Sequence, residues 1–197
     1  MKRKLSIILN ALIVLFELYS LTLLFHNEGR VVIEYYTVES NILALISSTA
    51  FLIYLVRNEK INKFVKVLKY VSTVALVITF IVVIFVLLPM FDFNYQFLLL
   101  DGVMLYHHVL CPALAFISFV WFDDLGKYKK KDVYYPVIFT LLYGFVMIML
   151  NFLLVVDGPY PFLRVYELGM LHSIIWFLLL IGICYLLSRV VLKFRKN

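Results

Sequence analysis

An all-α bundle of six transmembrane helices, with both termini on the cytoplasmic side, is the fold class this sequence predicts, and three observations predict it. Of its 197 residues 64% are hydrophobic and the mean hydropathy is +1.00, well above the range of soluble globular chains. Uncharged apolar stretches of about 20 residues, enough to cross roughly 30 Å of hydrocarbon as a helix, recur along the whole length. Sixteen of the eighteen Lys and Arg residues fall in alternate inter-span segments, as expected when positive residues are retained in the cytoplasm. Lipid tolerates no unpaired backbone polar group, so runs of this length are helices and not open strands.

The first span is Leu5–Phe25. Its basic start, Lys2, Arg3 and Lys4, followed by Leu5–Phe16 resembles a signal peptide, but the chain runs on into Glu17, Leu18, Tyr19 and Ser20 without a small-x-small cleavage site, which predicts an uncleaved span. The second is Tyr36–Val56 and the third Leu68–Pro89. The stretch "VSTVALVITFIVVIFVLLPM" (71–90) carries no ionisable side chain and is expected to form a lipid-facing wall. The fourth is Phe97–Phe122, the fifth Tyr134–Val156 and the sixth Tyr166–Val190. Between them lie the basic segments: Arg57, Lys60, Lys63, Lys66 and Lys69; Lys127, Lys129, Lys130 and Lys131; and, at the end, Arg189, Lys193, Arg195 and Lys196. Only Arg30 and Arg164 fall outside them.

One six-helix domain, residues 1–197, accounts for the chain. Its net charge of +6 matches lysines facing anionic headgroups, so membrane lipids are the expected partners and nucleic acid is not. Cys111 and Cys184 sit mid-span and near the opposite end of another span, which reads as two small buried apolar residues and no disulfide framework. The absence of an internal repeat counts against a carrier built on inverted repeats.

Ionisable residues inside a bundle are costly and mark functional sites by default. Here they are Glu17, Glu39, Asp101, His107, His108, Glu167 and His172, with Asn151 as an uncharged addition. Counted from the cytoplasmic ends at about 1.5 Å per residue, Asn41 and His108 lie at similar depth, and the group collects in the outer half, as if lining a pocket. Thr37 and Asn41 are four apart and share a helix face while Glu39 turns away. On a continuous fourth helix Asp101, His108 and Cys111 share a face, so only one of His107 and His108 looks straight into a shared pocket. Tyr35, Tyr36, Phe91, Phe93, Tyr95, Tyr160, Phe162 and Tyr166 fit an outer aromatic belt.

A neutral histidine can take the proton of a hydroxyl nucleophile, and Thr37 with His108 makes such a pair conceivable, with Asn41 as an oxyanion donor. Depth opposes it: straight helices leave Thr37 some 7–8 Å outward of His108, a gap for a kink or tilt to close. Adjacent histidines point apart and no His-x-x-x-His or Cys-x-x-Cys pattern is present, so neither a metal nor a cofactor is expected.

The segments "YYTVESN" (35–41), "YHHVLCPALAFISFVWFDD" (106–124) and "DGPYPFLRVYELG" (157–169) resemble the motifs of the androgen-induced and androgen-dependent membrane threonine hydrolases, and more closely a set of small bacterial membrane proteins that share them. That resemblance implies hydrolysis of esters between a fatty acid and a hydroxy fatty acid, by one threonine and one histidine. Carried over by position, the threonine is Thr37 and the histidine His108, four residues before Pro112, with His107 as the alternative. Glu17, Asn41, Asp101, Tyr160, Glu167 and His172 are then the expected polar groups of the substrate pocket. The alternatives are a non-catalytic lipid- or small-molecule-binding or assembly protein and, third, a proton-coupled carrier. A Lys/Ile/Phe-rich composition and short termini suggest a bacterial plasma membrane.

Overall fold

The computed structural model describes residues 1–195, which are helical with no strand among them. Lys196, one of the expected cytoplasmic charges, lies outside the described residues. Six helices are long and apolar enough to cross a membrane: α1 Lys2–Glu28, continued by a 3-10 segment to Glu34; α2 Tyr36–Arg57; α3 Lys63–Val82, continued to Met90; α4 Leu105–Phe122; α5 Tyr134–Phe152, preceded by a 3-10 turn at Lys130–Val133; and α6 Met170–Phe194. The chain is an integral multi-pass membrane protein.

The third span is not a lipid-facing wall. The helix starts at Lys63, capped by the Asn62 side chain, which accepts the Val65 N–H, and Lys69–Leu76 are eight consecutive buried residues. This helix packs against α1's neighbour α2 and against α4, α5 and α6, and so occupies the centre of the bundle. A helix apolar all round is equally compatible with lipid or with a protein core. The small and hydroxyl residues Ser72, Thr73 and Ala75 decide for the core, because they let other helices approach closely.

The fourth and sixth spans are interrupted. A π-helical turn at Gln96–Leu100 ends at Asp101, Gly102 has φ +49°, and a new helix begins near Leu105. The short helix Val165–Leu168 ends at Gly169, φ +85°, before α6. Both breaks use a glycine in a left-handed region that a Cβ would strain. The break in the fourth span removes the phase relation between Asp101 and His108: Asp101 is exposed and His108 buried.

The N-terminus of α1 and the C-termini of α2, α4 and α6 lie together at one end, termed here the basic end. Arg3 donates to the Leu55 carbonyl at 2.5 Å, Ser6 to Asp123 at 2.6 Å, and Arg195 to the carbonyls of Phe119 and Asp123. Tyr70 stacks on Phe119 with ring centroids 5.7 Å apart, and the Arg195 guanidinium lies 4.7 Å over the same Phe119 ring, a cation–π contact that fixes the end of α6.

Candidate functional site

Two layers of buried polar side chains cross the bundle. The layer near the basic end includes Lys69, which is not a solvated loop cation but a helix-interior residue 1% exposed. Its Nζ lies 2.7 Å from Asn10 Oδ1, 3.2 Å from Ser48 Oγ and 3.7 Å from Asp123 Oδ2. Asp123 Oδ1 accepts from Ser6 (2.6 Å), Ser118 (2.7 Å) and Asn10 Nδ2 (2.9 Å). Four helices thus share one charge-paired network, the arrangement that makes buried charge tolerable. The sequence carried a signal for it: Ser6 and Asn10 are one turn apart on α1, and Ser118 and Asp123 stand five apart at the end of α4.

The second layer lies about two turns along α1, at Glu17. Glu17 (0% exposed) faces His107 Nε2 at 3.6 Å, beyond hydrogen-bond reach, and Cys111 lies beside the same carboxyl. Asn41 Nδ2 donates to the Thr37 carbonyl at 2.7 Å and to the His107 carbonyl at 3.5 Å. His108 Nδ1 is 2.6 Å from the Leu98 carbonyl. A carbonyl only accepts, so Nδ1 carries the proton and Nε2 of the neutral ring is left a free base. Both histidines are buried because the Leu105–Leu110 turn is π-helical, and they look to different partners where a shared pocket allowed only one.

Thr37 sits in the first turn of α2, where backbone N–H groups lack helical partners. It is not the N-cap, which is the extended Tyr35. Its orphan N–H is met from across the molecule by Tyr160 Oη at 3.3 Å, and the Thr37 hydroxyl lies 3.4 Å from the same oxygen. Burial away from water pushes the Tyr160 phenol up to about 12, so it remains a proton donor at neutral pH. The loop that delivers Tyr160 is pinned by Asn151, which accepts the Val165 N–H and donates to the Val156 carbonyl. Gly158, φ +82°, permits its turn; a Cβ there would lie 3.1 Å from Arg164 Cγ. Tyr160 stacks on Phe162, and Phe162 on Trp176.

Thr37 and Tyr160 line an apolar cleft of about 50 Å³ between α3, α5 and α6, to which α6 contributes the half-buried Phe177, Leu180 and Ile181. Tyr36, Tyr160 and Phe162, expected in the aromatic belt, are buried on its walls, and Tyr36 Oη bonds Thr140 Oγ1 at 2.8 Å. Tyr35, Phe91, Phe93, Tyr95 and Tyr166 are exposed as a belt requires.

The structure therefore links Tyr160 to Thr37, Thr37 to Asn41, Asn41 to the His107 carbonyl and His107 to Glu17, while His108 turns to the Leu98 carbonyl and the Thr37 hydroxyl meets Tyr160 and not a histidine. Asp101, Glu167 and His172 stay apart. All three are exposed; Glu167 pairs with Arg164 at 3.2 Å, and His172 Nε2 accepts from Trp176 Nε1 at 2.9 Å. Among the described residues no three His, Cys, Asp or Glu side chains converge as a metal-binding group. Compared with family models, curated proteins and solved structures, the chain matches none.

Proposed function

We propose that the chain is a membrane-embedded hydrolase of fatty-acid-type lipid esters, with Thr37 as nucleophile and His108 as general base. The observation that carries this reading is the meeting of Thr37 with Tyr160, 123 residues away, on the wall of an apolar cleft. The walls have the apolar character an acyl chain requires, the cleft widens for a chain to enter it, and the ester is then presented to the Thr37–Tyr160 corner. In the first step the Thr37 oxygen attacks the ester carbonyl carbon while its proton passes to His108 Nε2. Collapse of the tetrahedral adduct expels the alcohol, which takes that proton, and water then cleaves the acyl-threonine. Tyr160 Oη and the α2 N-terminal amides supply donors for the oxyanion. Asn41, bonded to the carbonyls of both Thr37 and His107, ties the two helices together; the Thr37 hydroxyl is bonded to Tyr160 and His108 to the Leu98 carbonyl, so the reading requires the base–nucleophile contact to form with substrate bound. In this reading the basic end faces the cytoplasm of a bacterium, the termini are inside, and the cleft serves the outer leaflet.

The Thr37–Tyr160 pairing also favours a second reading, a non-catalytic lipid-binding bundle in which Thr37 only packs against Tyr160. The two separate on one experiment. Purified protein in lipid is treated with a fluorophosphonate, the modified residue is mapped, and hydrolysis of a fatty-acid ester of a hydroxy fatty acid is followed. Hydrolase chemistry requires modification of Thr37 and a loss of at least about 100-fold in rate in both Thr37→Ala and His108→Ala. Unmodified Thr37 together with unchanged turnover in the variants leaves the binding reading.

A further inference from the structure

Glu17 and His107 take no step in the ester chemistry above, yet with the Asn41 side-chain oxygen they form a nook of unpartnered buried polar groups. Both Glu17 carboxyl oxygens, His107 Nε2 and Asn41 Oδ1 are buried without a hydrogen-bond partner. Such atoms ordinarily find a partner, and at 3.6 Å the Glu17 carboxylate and the His107 Nε2 stand just beyond the distance at which a proton is shared in a hydrogen bond.

Charge balance goes further. Glu17 ionised beside a neutral His107 is a net negative charge in a low-dielectric interior, and no cation is at hand to offset it. Lys69 is committed to Asp123, Asn10 and Ser48, and Asn10 lies seven residues, about 10 Å, along α1 from Glu17. Two protons on the pair make it a net cation, which is just as costly. One proton, whether on the carboxyl or on the imidazole, leaves it neutral. The other groups facing the nook do not change the sum: Asn41 from α2 is uncharged, Cys111 from α4 is a thiol beside the carboxyl, and His108 is tied to the Leu98 carbonyl.

The nook is closed on both sides. Toward the basic end lies the apolar cluster of Ile13, Ala44, Leu76 and Ala115, and on the other side that of Leu21, Leu24, Val32 and Val38. Of these, Ile13 and Leu21 stand one turn before and after Glu17 on α1, and Val38 and Ala44 about one turn before and after Asn41 on α2. We propose that Glu17 and His107 form an occluded binding site for one exchangeable proton, held between the carboxyl and the imidazole. No metal is needed, and the site stands whether or not Thr37 is a nucleophile.

Infrared difference spectroscopy of the lipid-reconstituted protein tests it. In His107→Gln the proton has only Glu17 to occupy, so a carboxylic-acid carbonyl band that shifts on transfer to heavy water is expected there and is lost in the double variant His107→Gln/Glu17→Gln. Both changes are near-isosteric, and unchanged amide bands certify the fold. A His107→Gln spectrum identical in that region to the double variant's means that Glu17 holds no proton, and overturns the proposal. In the wild type, Glu17→Gln removing either that band or the imidazolium signal of His107 supports it; removal of neither overturns it.

Discussion

The two buried polar layers are built from similar residues and treat them in opposite ways. Near the basic end, Asp123 accepts three hydrogen bonds on one oxygen and faces Lys69 with the other, and the α1 residues Ser6 and Asn10 reach across to α4. One layer further along the same face of α1, Glu17 has His107 too far for a bond and no other partner for its oxygens. The first arrangement pairs a buried lysine with a buried carboxylate and ties four helices together, although Asp123 Oδ2, 3.7 Å from Lys69 Nζ, accepts no hydrogen bond itself. The second leaves both Glu17 oxygens, His107 Nε2 and Asn41 Oδ1 without a hydrogen-bond partner. The two layers differ in how completely their buried polar groups are partnered.

The largest effect should come from breaking the satisfied layer. Asp123→Ala strands Lys69 as an uncompensated buried cation and is expected to cost about 3–5 kcal/mol, read as a large fall in Tm in detergent or lipid. Lys69→Met combined with Asp123→Leu should recover most of that loss, since the pair vanishes together. Next comes the cleft. A Cβ at Gly144 would sit 2.5 Å from a Phe177 ring carbon, so Gly144→Ala should cost about 1–3 kcal/mol as the ring is forced aside, and should reduce binding of a fluorescent fatty acid more than Tm alone accounts for.

A smaller change is expected for Tyr160→Phe, which leaves the Thr37 N–H without its capping oxygen: about 1 kcal/mol in thermal unfolding, with a larger loss in turnover than in stability if Tyr160 serves the oxyanion. Smallest of all is Glu17→Met. Removing a carboxyl that no protein group bonds should leave stability unchanged or raised, the opposite of Asp123→Ala. A destabilisation of several kcal/mol at position 17 would show that the two layers are not different in kind.

How much of this the sequence revealed depends on the physical scale of each feature. The six spans were legible because hydrocarbon thickness sets a length that composition reports directly, and α1, α2 and α5 lie within a few residues of their expected bounds. Span ends were missed where local geometry outweighs hydropathy: Gly102 and Gly169 break helices inside apolar runs, and α3 begins five residues early at Lys63, after the Asn62 cap. Asp101 fell out of the site for the first reason, while Glu167 and His172 sit near the second break, exposed and with partners of their own. Lys69 shows the converse error. Read by the rule that cytoplasmic loops hold lysines, it counts as a loop charge, because the rule knows nothing of an Asp123 waiting 54 residues away.

Sequence alone determined that this chain is a multi-pass helical membrane protein and that Thr37, Asn41, Glu17 and the two histidines share a zone, since helix length and period follow from covalent geometry and the cost of polar groups in lipid. Which helix is central, which histidine keeps a free basic nitrogen, and that Thr37 meets Tyr160 were decided only by the tertiary structure. Those outcomes depend on pairings between residues more than a hundred positions apart and on π-helical and glycine-broken turns, whose small local energies leave no periodic trace in the sequence.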